Sequence, residues 1–363
     1  MSERIHAITV PKWGMAMDAG TVTGWHVAEG QSVAAGQDVL DVESTKIANA
    51  IEAKVDGTLR RIVGQVGDTL PVGGLLGVVA APDVPDAEID AFVAGFVVAP
   101  DDGEGEGGPR TRTVVADGRA IRVQETGAGE ETVVLVHGFG GDLNGWLFVQ
   151  PALATTRRVV ALDLPGHGGS TMDVGGAGVA ALARVLEATL DALGVERAHL
   201  VGHSLGGAVC LVAAGRASAL TLIASASLGP AINGAYIEAF LAAERRKEMA
   251  AALGALFADP ALVTRPMAED VLKAKRIDGA QAALRAIAAA CFPAGRQADD
   301  LRGRLAGLRI PAQVIWGLAD RVIPVAHAEG LPAAVAVHRL DAGHMPHMER
   351  AADVARLIAA LGS

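Results

Sequence analysis

Two domains of different class are predicted from this sequence: a small all-β flattened barrel or sandwich over residues 1–80, and a doubly wound α/β sheet with a helical cap over residues 111–363. Three observations carry this. In the first 80 residues a glycine pattern recurs after 37 positions; beyond residue 110 short aliphatic runs alternate with helical stretches; and between them lies a segment too polar to form a core.

In the repeat, Gly30, Val33, Gly36 and Val39 return as Gly67, Leu70, Gly73 and Leu76, among β-branched runs such as Thr21-Val-Thr and Val78-Val79. Glycines at fixed offsets mark turns that need positive φ, and no helical period crosses the segment. Two similar strand-and-turn halves related by a quasi-two-fold axis are therefore expected. Lys46 falls midway between them, in a run from Asp41 to Ile51 that alternates apolar and polar residues. That run reads as a strand, a tight turn bearing Lys46, and a return strand.

Residues 81–110 hold eight acidic residues, one basic residue and four prolines, the composition of a linker. Within it Ile89, Phe92, Val93 and Phe96 stand at i, i+3, i+4 and i+7, which predicts a short amphipathic helix. Such a helix is expected to pack on the larger domain; docking to a partner subunit is the alternative.

Past residue 110, Arg112 to Glu125 reads as a hairpin turning at Asp117-Gly118. Strands are expected at Thr132–Val136, Arg158–Leu162, His199–Val201, Leu220–Ala224, Gln313–Trp316 and Ala334–Leu340. The Ala-, Arg- and Leu-rich stretch from about Gly229 to Gly307 interrupts the alternation and is the expected cap.

A net charge of -10 opposes nucleic-acid binding, which needs clustered Lys and Arg to neutralise phosphates. No apolar run reaches the roughly 20 residues a membrane-spanning helix needs, and the N-terminus lacks a signal-peptide pattern. A cytoplasmic protein is expected. Two distant cysteines, Cys210 and Cys291, fit a reducing compartment and argue against a structural metal site.

Gly202-His-Ser-Leu-Gly206 fits a nucleophile elbow, in which glycines permit a strained strand-to-helix turn that lifts the serine hydroxyl clear of the backbone. A serine hydroxyl needs a base, and the base a carboxylate to fix its tautomer. Asp320, beyond the strand Gln313–Trp316, and His344, beyond Ala334–Leu340, are the candidates; His338, Asp341 and His347 fit the strand ends less well. His137-Gly-Phe-Gly-Gly141 can aim the Phe139 N–H at a developing oxyanion, with the Leu205 N–H as second donor. The loop Asp163-Leu-Pro-Gly-His-Gly-Gly-Ser170 is assigned structure rather than chemistry.

From His137 to His344 these motifs resemble the α/β-hydrolase superfamily, a fold that hosts many chemistries. The first 80 residues resemble lipoyl domains of 2-oxo acid dehydrogenase acyltransferases, through Pro11-Lys-Trp-Gly-Met, Glu29-Gly30, Val33, Gly36, Glu43-Ser-Thr-Lys46 and Gly57. That resemblance implies lipoate in amide linkage to Lys46. Biotin carriers share the fold but flank their lysine with methionine, where Thr45 and Ile47 stand here.

The combination resembles the dihydrolipoyl acetyltransferase components of acetoin dehydrogenase complexes. It implies acetyl transfer from dihydrolipoyl-Lys46 to coenzyme A by Ser204, His344 and Asp320, within an oligomer served by a thiamine-dependent dehydrogenase component and dihydrolipoyl dehydrogenase. Two other readings stand beside it: a hydrolase of small esters or thioesters fused to a lipoyl carrier, and a carrier and assembly subunit whose hydrolase fold is a scaffold.

Overall fold

The structure, a computed structural model, describes residues 4–11, 19–43, 48–96 and 109–361. It divides into two compact units, Met1–Asp102 and Gly103–Ser363.

The first unit contains β1 (Ile5–Thr9), β2 (Ala19–Trp25), β3 (Ser32–Val33), β4 (Asp38–Glu43), β5 (Ala48–Glu52), β6 (Gly57–Ile62), β7 (Thr69–Pro71) and β8 (Leu75–Ala80). They form two four-stranded sheets, ordered β1-β8-β6-β3 and β5-β4-β2-β7. The repeat is visible in the backbone. Gly30 and Gly67 have φ of 85° and 95°, and Gly36 and Gly73 have 82° and 79°. A side chain would be strained there. Each half closes its turn the same way: Gln31 N–H donates to Ala28 O, and Asp68 N–H to Gln65 O. The side chains of Gln31 and Asp68 then accept from the N–H groups of Ala28 and Gln65.

Val22, Val33, Val39, Leu40, Val42, Leu59, Leu76 and Val79 fill the core between the sheets. β4 and β5 pair antiparallel as far as Glu43 opposite Ala48. Lys46, in the chain between these two ends, lies outside the described residues, as do Ser44 and Thr45.

The predicted amphipathic helix is present at Asp86–Ala94, and it packs on the first unit, where the larger domain was the expected support. Every residue of β8 is buried. Leu76 and Val79 enter the core between the sheets, and Leu75, Val78 and Ala80 meet Val84 and the fully buried Ile89 outside it. A strand apolar on both faces needs two covers, and the helix is the second. Arg60 and Arg61 of β6 fix its orientation through Asp86 at 2.7 Å and Asp90 at 2.8 Å.

The second unit opens with the predicted hairpin: β9 (Arg110–Ala116) and β10 (Arg119–Thr126) turn at Asp117 and Gly118, both with positive φ. That is the twist a two-residue hairpin requires. Then come β11 (Thr132–Val136), β12 (Arg158–Leu162), β13 (Ala198–His203), β14 (Ala217–Ile223), β15 (Ala312–Gly317) and β16 (Val335–Leu340). The sheet order is β16-β15-β14-β13-β11-β12-β10-β9, parallel from β16 to β12.

Alternate residues of each central strand enter opposite cores. Val134, Val136, Val160 and Leu162 face the helices Val179–Ala192 and Leu205–Val212; Val133, Leu135, Val159 and Ala161 face Trp146 and the helix Ala351–Leu361. Between β14 and β15 the chain leaves the sheet for the cap helices Gly234–Ala242, Arg246–Leu253, Arg265–Lys275 and Ala280–Cys291. Among the described residues no helix is long and apolar enough to cross a membrane, and no cluster of three or more His, Cys, Asp or Glu could hold a metal ion.

Candidate active site

Ser204 occupies the single residue between β13 and the helix Leu205–Val212, with φ 52° and ψ -116°. This left-handed conformation, strained for serine, is enforced from all sides. Its N–H donates to Ile223 O at 2.9 Å, and its carbonyl accepts from Gly207 N–H at 3.0 Å and Ala226 N–H at 2.9 Å. The flanking glycines make the turn possible. A Cβ on Gly202 would lie 2.3 Å from Gly206 O, and one on Gly206 would lie 2.3 Å from Val136 O.

Asp320 and His344 meet as the sequence suggested. Asp320 Oδ2 accepts from His344 Nδ1 at 2.8 Å, with the two side chains 0% and 2% exposed. Oδ1 accepts from the N–H groups of Val322 and Ile323 at 2.8 and 2.9 Å, so both carboxylate oxygens are satisfied and the group is fixed. A proton on Nδ1 leaves the lone pair on Nε2, the tautomer a general base needs.

The His344 loop is anchored at three points. His203, the residue before Ser204, donates from Nε2 to His344 O at 2.8 Å. His344 N–H donates to Leu256 O of the cap at 2.7 Å. Glu349 accepts from Gly343 N–H at 2.7 Å and from Ala258 N–H at 2.9 Å, tying the same loop to the cap a second time. Burial holds His203 well below the usual histidine range, and it holds His347 at about 3. Both stay neutral beside His344, with ring centroids 4.8 Å (His203 to His344) and 4.5 Å (His203 to His347) apart. Of the competing residues, His347 is buried against Trp146, and His338 lies on β16.

The glycine turn after β11 lies against the elbow: a Cβ on Gly138 would come within 3.0 Å of Ser204 Cβ. Neither the Phe139 nor the Leu205 N–H donates to an acceptor among the described residues. The loop after β12 holds this turn in place. His167 Nε2 accepts from Gly140 N–H, and His137 Nε2 accepts from Leu164 N–H, each at 3.0 Å. Each imidazole gives its Nδ1 proton to a carbonyl, Gly138 O at 2.7 Å and Pro165 O at 3.1 Å. Burial lowers His137 to about 4 and His167 to about 3, so both are neutral and able to accept. Asp163 closes the loop, receiving Leu143 N–H and Gly169 N–H at 2.7 Å. The structural role expected of this loop is thus a specific one. The contributions of His203 and Glu349 were not foreseen; the position of His203 inside the elbow motif was the signal for the first.

Cys210 and Cys291 are free and buried, and burial pushes both thiols up, Cys291 to about 12. They do not belong to the site.

Comparison with known proteins follows the same division. Residues 6–79 match the family model described as biotin-requiring enzyme, and residues 131–351 match that of the alpha/beta hydrolase fold. The chain is 47% identical to the dihydrolipoyllysine-residue acetyltransferase component of the acetoin cleaving system of Pseudomonas putida, over 97% of this chain and 96% of that one. It is 44% identical to the component of the same name from Cupriavidus necator, over 99% and 97% of the two chains. Among solved structures, a meta-cleavage product hydrolase of Pseudomonas fluorescens superposes with a TM-score of 0.62 at 24% identity, over 70% of this chain and 97% of that one, which shows a shared fold.

Proposed function

Since the chain belongs to the dihydrolipoyllysine-residue acetyltransferase components of acetoin cleaving systems, we propose that it passes an acetyl group between its own lipoyl carrier and coenzyme A through a serine triad. Acetyl transfer and covalent lipoate come with that membership. The assignment of Ser204, His344, Asp320, Phe139, Leu205 and Lys46 to their roles is our reading.

Lys46 suits the carrier role chemically. It offers a primary amine for an amide bond, between the ends of the β4–β5 ladder of a unit built on the biotinyl/lipoyl pattern. Lipoate bound there would, in its dithiol form, offer a thiol to carry the acetyl group on a long arm.

The chain's own residues do the rest. Ser204 Oγ, its proton taken by His344 Nε2, attacks the carbonyl of the incoming acetyl thioester. The Phe139 and Leu205 N–H groups receive the oxyanion. His344 returns the proton to the leaving thiol, and the serine ester holds the acetyl group. Coenzyme A, deprotonated by the same imidazole, then takes it and frees the serine. Asp320 keeps His344 in the required tautomer and stabilises its charge when protonated. As a component of a multi-subunit system the chain works with others; a thiamine-dependent dehydrogenase to load the carrier and a dihydrolipoyl dehydrogenase to reoxidise its dithiol are the partners this chemistry asks for.

The observation that carries the reading is the strained Ser204 elbow on the same chain as the buried Asp320–His344 pair. Acetyl transfer between acetyl coenzyme A and free dihydrolipoamide tests it. The wild-type protein transfers, and Ser204→Ala is slower by at least about 10³-fold. Acetate release at the same rate with and without acceptor thiol would mark a hydrolase instead.

A further inference from the structure

The cap contains a buried cation that makes no direct contact in the chemistry proposed above. Lys275 ends the helix Arg265–Lys275 and is 3% exposed. Lysine is seldom buried so completely, because its ammonium must find acceptors to replace water. Here Nζ donates to Phe240 O at 2.6 Å, Ala243 O at 2.7 Å and Leu241 O at 3.2 Å. All three N–H bonds go to main-chain carbonyls. These carbonyls lie at the C-terminal end of the helix Gly234–Ala242, where orphan acceptors and the helix dipole both favour a cation. The ammonium also lies 5.4 Å from the centroid of the Phe240 ring.

Phe240 reaches from that helix to the glycine turn beside Ser204. A Cβ on Gly140, whose φ is +72°, would sit 2.3 Å from Phe240 Cζ, so the ring lies directly on the Gly140 backbone. Its centroid is 5.6 Å from that of Phe139. On its N–H, Gly140 is held by His167. The turn is thus gripped by the loop after β12 and by one aromatic ring of the cap.

We infer that Lys275 is a positioning residue for this turn: by pinning the carbonyl end of the helix Gly234–Ala242 it holds Phe240 on Gly140 and keeps the Phe139 N–H aimed at the oxyanion. The inference rests on the reading of Phe139 and Ser204 given above. It explains why a polar helix of the cap buries a lysine where methionine would fill the same space.

A fluorophosphonate probe separates the two levels. Ser204 Oγ forms a bond to phosphorus, fluoride leaves with the serine proton, and the phosphoryl oxygen takes the oxyanion position. Lys275→Met is expected to label about tenfold more slowly than wild type, less than the 10²- to 10³-fold typical of deleting an oxyanion donor outright. The kcat for acetyl transfer to free dihydrolipoamide falls by the same factor, with KM unchanged. Phe240→Leu labels as slowly, and the double variant is no slower than either single one, since both act along one path. Wild-type labelling in Lys275→Met, with or without a lowered melting temperature, overturns the inference, and so does a double variant whose losses multiply. Should Lys275→Met fail to fold, Phe240→Leu decides alone, wild-type labelling overturning it. A wild-type protein that is not labelled at Ser204 overturns the nucleophile reading instead.

Discussion

The two units solve opposite problems. The first, on our reading of Lys46 as the carrier residue, is a duplicated frame in which glycine turns and apolar core positions repeat. The second fixes Ser204, Asp320 and the glycine turn after β11 by several contacts each. Ser204 has four backbone hydrogen bonds and two glycines that admit no Cβ; Asp320 has three donors; the Gly138–Gly141 turn has two histidines.

The largest expected effect separates the units outright. Lys46→Arg abolishes turnover of the assembled complex but leaves acetyl transfer with free dihydrolipoamide at the wild-type rate, because the amine is needed only to carry. Ser204→Ala abolishes both. A Lys46→Arg protein slow with the free substrate would mean that the carrier contributes to the active site, and the division drawn here would fail.

Glycines sharpen it next. Gly206→Ala puts a methyl group 2.3 Å from the Val136 carbonyl, so the elbow must shift, and a loss of at least about 10²-fold in kcat is expected, as befits displaced reacting groups. Gly30→Ala meets open space and has only its φ of +85° against it. It costs about 1 kcal/mol of stability and leaves kcat alone. Equal kinetic losses in the two variants would erase the contrast. Ile89→Ala, beneath the helix Asp86–Ala94, lowers the stability of the first unit by about 3 kcal/mol without touching transfer to free dihydrolipoamide. If the second unit's melting transition moved instead, that helix would not be a cover for β8.

Legibility followed the same divide. The duplicated frame could be read because its turns demand glycine at fixed offsets, and the elbow because its strain demands Gly202 and Gly206. Asp320 and His344 could be read from their places beyond strand ends. What could not be read are contacts whose partners lie far off in sequence. The helix Asp86–Ala94 presents an apolar face that any surface could cover; only the burial of β8 on both faces and the positions of Arg60 and Arg61 assign it to the first unit. Lys275 closes a helix with five charged residues among its eleven and reads as solvated, because its three acceptors lie more than thirty positions earlier. The roles of His137 and His167 emerge only when the loops after β11 and β12 lie side by side.

The histidines give the subtlest test. His137 and His167, at about 4 and about 3 in the fold, accept hydrogen bonds through Nε2 and can do so only when neutral. In the unfolded chain a histidine titrates near 6.5. As pH falls below that value the unfolded state binds protons that the fold refuses. The contribution of these histidines is therefore whole above pH 6.5 and is lost as pH falls toward the folded values. His199, His203 and His347 are lowered as well and add to the slope. His167→Gln keeps an acceptor for Gly140 N–H and removes one titrating group. Urea midpoints of the second unit between pH 7 and pH 4 should fall less steeply in this variant than in wild type, while those of the first unit coincide. A slope unchanged by His167→Gln would mean that His167 is free to protonate in the fold, and the clasp on the Gly140 turn would lose its physical basis.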